Sequence, residues 1–114
     1  MDIIKFAIPS NPKYTQMLRL SSASIANSMG FDIEAIEDIK VIVSELFTYL
    51  LSDLDEIKFD FIIDDNKLDI VTYRRRTQIE GLNEAQFELK KQILMALADD
   101  IKFEDERVIV SVEL

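Results

Sequence analysis

Residues 36–52 read IEDIKVIVSELFTYLLS. Apolar residues at Ile36, Ile39, Val43, Leu46 and Leu50, continued by Leu54, recur by threes and fours, which is the period of a helix. Asp38, Val41, Glu45, Thr48 and Ser52 form the neighbouring stripe, so Glu45 borders the apolar face. Tyr49 follows Glu45 by four positions, and on a helix the two lie one above the other. A carboxylate in that position can act as a general base. A metal site built on the same turn needs a small oxygen ligand such as Asn or Asp one turn later. Tyr49 stands in that place.

Asp32 is a capping residue and Ile33 opens this helix. Gly30 stops an earlier helix, which Pro12 starts behind a cap at Asn11 or Ser10. That helix carries Tyr14, Met17, Leu18, Ile25 and Met29 as apolar groups, and Leu20-Ser21-Ser22-Ala23-Ser24 gives it a middle suited to close packing. Residues 2–8, DIIKFAI, read as a first strand. Ile57, Phe59, Phe61 and Ile63 alternate within 56–64, Asp65-Asn66 makes a tight turn, and Leu68, Ile70 and Thr72 alternate again, which predicts a hairpin. Residues 74–83, RRRTQIEGLN, break the pattern. Asn83 or Gly81 then precedes a third helix over 84–98, marked by Phe87, Leu89, Ile93, Leu94 and Leu97. Residues 100–104 and 108–114 flank Asp105-Glu106-Arg107 as a second hairpin. The expected fold is α+β, a two-layer sandwich of three helices on a mixed, mostly antiparallel sheet of about five strands.

The chain has 114 residues, 48% of them hydrophobic and 31% charged, with two glycines and two prolines, which predicts one ordered domain over 1–114. Its net charge of -9, from 22 acidic and 13 basic residues, repels nucleic acid and anionic membrane surfaces. There is no cysteine and no histidine, so disulfides, thiolate chemistry and imidazole catalysis are all excluded. MDIIKFAIPS lacks the pattern of a signal peptide and no apolar run is long enough for a bilayer, so a cytoplasmic location is expected.

The opening IPSNPKYTQMLRL followed by MGFDIEAIEDIKVIVSELFTYLL resembles the anti-sigma-factor serine kinases, within the histidine-kinase-like (GHKL, Bergerat-fold) ATPases. The resemblance runs over residues 5–73 and fades beyond. It implies ATP held between the sheet and a lid, and three motifs. The first is a helix with a glutamate that prepares the attacking hydroxyl and, four residues on, an asparagine that holds magnesium. Glu45 matches the glutamate, and Tyr49 replaces the asparagine with a bulky, rigid phenol that is a poor magnesium ligand. The second is D-x-G-x-G after the third strand, where Tyr73 here runs into Arg74-Arg75-Arg76-Thr77 with neither the aspartate nor a glycine. The third is a glycine-rich lid, of which Gly81 alone remains.

The resemblance therefore implies a degenerate family member, with Glu45 the relic of the base position, no catalytic residue, and no bound ATP, magnesium or other metal. It implies an anti-sigma-like regulator whose partner is a sigma factor or an anti-sigma antagonist, with a homodimer as a further form and the first helix (residues 12–29) as the interface. Two other readings stay open: an active ATP-dependent serine-protein kinase with an unusual pocket, and an interaction or structural domain of an unrelated pathway. Arg74–Arg76 could hold an anion, though a solvated strand end is the commoner role. Ser21, Ser22 and Ser24 read as helix packing, and Asp64-Asp65 and Asp99-Asp100 as turn chemistry.

Overall fold

The computed structural model describes residues 1–51, 55–73 and 84–114, without the side chains of Glu84 and Phe87. Leu54 and Ser52 of the helix stripes, Arg74–Arg76, Gly81 and Asn83 lie outside the described residues, as does the side chain of Phe87. Strand β1 spans Asp2–Pro9. Helix α1 (Thr15–Met29) and helix α2 (Ile33–Leu50) follow, then strands β2 (Glu56–Ile63) and β3 (Lys67–Tyr73). Helix α3 (Glu84–Leu97) leads to β4 (Asp100–Phe103) and β5 (Arg107–Glu113).

The five strands form one sheet in the order β1-β2-β3-β5-β4. Every described pairing is antiparallel, so no parallel neighbours of a mixed sheet occur among them. The reason lies in the connections. β3 and β4 run in the same direction, as a strand–helix–strand crossover allows, but β5 inserts between them. The two hairpins close on two-residue loops, Asp65-Asn66 and Asp105-Glu106, each flanked by a backbone bond: Asp64 N–H to Lys67 O at 3.0 Å and Glu104 N–H to Arg107 O at 2.9 Å.

One face of the sheet meets the helices. Ile57, Phe59 and Phe61 of β2, Leu68, Ile70 and Thr72 of β3, and Val108, Val110 and Val112 of β5 are buried there in alternation. Phe59 and Phe61 stack at 6.3 Å, Phe47 of α2 meets Phe59 at 6.4 Å, and Phe6 meets Phe61 edge-on at 5.6 Å. Apart from Val71, the buried apolar residues among those described form a single cluster.

Helix α2 runs through the middle of that layer, in contact with both α1 and α3. Its buried set, Ile39, Ile42, Val43, Leu46, Phe47, Tyr49 and Leu50, is therefore wider than the single stripe expected from the sequence, while Ile36 is only half-buried. The first helix also starts later than expected. Asn11 caps a 3₁₀ turn over Pro12–Tyr14, its side chain accepting from Lys13 N–H, before α1 begins at Thr15. Met17, expected on the apolar side, is 40% exposed. The buried face consists instead of Leu18, Ser22, Ile25 and Ala26. Ser22 is fully buried because its hydroxyl donates to Leu18 O, which lets α1 pack closely there.

Candidate functional site

The C-terminal half of α2 brings Glu45 and Tyr49 to the side of the helix layer that α3 covers. Asp32 fixes the start of α2, its carboxylate accepting from Ala35 N–H at 2.8 Å. Glu45 is half-buried, as its place beside the apolar stripe predicts. Lys90 of α3 reaches across and donates to Glu45 Oε2 at 3.0 Å, with the two side chains 21% and 27% exposed respectively. Tyr49 is buried to 7% exposure and belongs to the core cluster.

The chemistry of this arrangement is narrow. A carboxylate oxygen that accepts from an ammonium is occupied by that bond. Tyr49, one helical turn on, contributes a buried ring and not a small oxygen ligand of the kind a metal takes. Beneath the helix layer, Thr72 near the end of β3 is fully buried and its hydroxyl has no hydrogen-bond partner among the described residues. Thr72 lies two residues before position 74, where the nucleotide motif expected after the third strand begins, outside the described residues. The structure thus brings Glu45 and Tyr49 together on α2 and adds Lys90, a residue the sequence reading missed. The signal was present: Lys90 falls one turn before Leu94 on the apolar stripe of α3, where a cation needs a carboxylate opposite.

A second polar cluster lies on the sheet face away from the helices. Asp60, only 8% exposed, accepts from Tyr73 OH at 2.7 Å and from Lys5 Nζ at 3.3 Å. The hydrogen bond to Asp60 pushes the Tyr73 phenol above its ordinary value of 10.0, and desolvation and the Asp60 charge act in the same direction. With Ala7 and Lys58 these residues line an open cavity of about 560 Å³. Asp64, read as a turn residue, acts as one, accepting from Asp65 N–H at 2.9 Å, whereas Asp99 accepts from Glu113 N–H at 2.7 Å, 14 positions away, and Asp100 opens β4, so that pair is not turn chemistry. No helix among the described residues is long and apolar enough to cross a membrane.

No protein-family profile matches the chain. Individual relatives do. The serine-protein kinase RsbW of Oceanobacillus iheyensis is 30% identical over 129 aligned positions, which cover 92% of this chain and 80% of the relative. The protein of the same name from Listeria monocytogenes is 37% identical over 75 residues, 60% of this chain and 48% of that protein. The one from Bacillus thuringiensis is 36% identical over 73 residues, 60% of this chain and 46% of its own length. The match thus spans most of the first relative and about half of the other two. The first alignment, at 129 positions, is longer than the 114 residues of this chain, so that relative carries positions with no counterpart here.

Proposed function

The chain belongs to the serine-protein kinase RsbW family, and from that premise we propose that it is a non-catalytic member, an anti-sigma-type regulator that works by binding proteins and has lost ATP binding. The observation that carries this reading is Tyr49. It occupies the position where the family resemblance requires a magnesium-holding asparagine, and its side chain is part of the hydrophobic core. A tyrosine in that setting is held by packing and cannot offer a neutral carbonyl oxygen to a metal. The Lys90–Glu45 bond supports the same reading, because an ammonium already engages the one catalytic residue type that remains.

Helix α1 supports binding as the mode of action. No Asp or Glu occurs between Asp2 and Asp32 in a chain of net charge -9, whereas Lys5, Lys13 and Arg19 fall in that interval. Met17 and Leu20 project from α1 at 40% and 57% exposure. A helix with exposed apolar side chains, in the stretch of an acidic protein that carries no acidic residue, suits a partner segment that is apolar and acidic, here a sigma factor or its antagonist. Titration of a purified sigma factor with the wild-type chain and with Leu20→Glu tests this. Binding without nucleotide that weakens at least about tenfold in Leu20→Glu is expected; binding that needs ATP or ignores the substitution contradicts it.

The activity named for the relatives favours a second reading, a working serine-protein kinase that keeps Glu45 as its base. It predicts transfer of labelled phosphate to an antagonist protein, lost in Glu45→Ala.

A further inference from the structure

We propose that the Glu45–Lys90 pair is a clasp: it holds α3 in place on α2 and, by the same contact, keeps the Glu45 carboxylate occupied. The idea rests on the non-catalytic reading above for its meaning, but on independent geometry for its existence.

The pair joins residues 45 positions apart in sequence at 3.0 Å, from two different helices. It is dedicated. Glu45 has Val41, Ile42, Thr48 and Tyr49 at its helical neighbour positions, and Lys90 has Gln86, Phe87, Ile93 and Leu94. Neither residue has an opposite charge three or four positions away, so neither has a local helical partner to fall back on. Both are mostly shielded from water, which weakens screening and raises the cost of leaving either one alone.

The rest of α3 makes this contact matter. Of its described side chains, Leu94 alone is fully buried, at 2% exposure, while Leu89 and Met95 are 63% and 51% exposed. Lys91, the next residue, lies over the Phe103 ring of β4 at 5.9 Å. Adjacent lysines thus grip the neighbours on the two sides of a shallowly anchored helix, Lys90 the helix α2 and Lys91 the edge strand. Helix α2, with seven buried residues, is the fixed half of the clasp. An element with few buried contacts is the one that opens first, and a polar tie of this kind sets how often it does so.

The test is amide hydrogen exchange, read on α3 peptides, in the wild type, Glu45→Gln, Lys90→Met, the double variant, and the swap Glu45→Lys with Lys90→Glu. Lys90→Met keeps the stem and removes only the charge. Each single variant is expected to exchange about tenfold faster over α3, the double variant no faster than the singles, and the swap close to the wild type. Unchanged exchange in the singles, additive effects in the double, or a swap as fast as the singles overturns the clasp. If one single variant fails to fold, the swap and the double variant still decide, since neither leaves a lone charge. ATP binding by the wild type would overturn the non-catalytic reading and leave this exchange pattern unaffected, so the two can fail separately.

Discussion

Tyr49 carries more of this account than any other residue. Its ring is in the core, so replacing it with the asparagine that the family resemblance expects removes a large apolar group and leaves an amide in its place. Tyr49→Asn is predicted to destabilise the fold by about 3–5 kcal/mol, measured by urea denaturation. A change below about 1 kcal/mol would mean that the ring does little packing. Tyr73 gives a second prediction at this scale. Its phenol is held above the ordinary value by Asp60, so the neutral form is favoured in the folded state. The contribution is fully present below the ordinary value of 10.0 and is lost as pH rises through the higher folded value. Stability above pH 10 should therefore fall less steeply in Tyr73→Phe than in the wild type, followed by circular dichroism, and Asp60→Asn should bring the Tyr73 titration earlier in an ultraviolet scan.

At the scale of elements, the junction between α1 and α2 depends on Gly30 and Asp32. Gly30 has φ of 94°, and a Cβ there would meet no atom within 4 Å. Any cost of Gly30→Ala comes from the left-handed backbone alone, and about 1 kcal/mol is expected, with Gly30→Asn losing less. Thermal melts of the two variants check the order. These junctions were legible in the sequence because a glycine stop and an aspartate cap are local chemistry, and so were the strands, whose alternation matches the buried face nearly residue for residue. What was not legible depends on contacts between elements. The single stripe of α2 widened because α1, α3 and the sheet all press on it, which no period within one helix reveals. Met17 turned outward for a related reason, since Ser22 and Ala26 provide the close-packed face of α1. The expected parallel component of the sheet vanished because β5 inserts beside β3, a choice made by the packing of a whole hairpin. Lys90 was missed because its partner is on another helix.

For the whole molecule, the segregation of charge sets the expected behaviour. The interval 3–31, which holds α1, is free of acidic residues and the sequence after it is strongly acidic. Binding of an acidic partner segment to α1 should therefore weaken as salt rises through the range where the Debye length falls below about 10 Å, visible as a slower association rate more than a faster dissociation. Membership of the kinase family and the proposed loss of its chemistry are compatible in one chain. The fold needs the apolar periods of α2 and the sheet, whereas nucleotide binding needs the oxygen ligand and glycines that this sequence replaces. Isothermal titration of the wild-type protein with ATP and magnesium tests that claim most directly. No measurable binding is predicted, and a Kd in the micromolar range, about -8 kcal/mol, would contradict it.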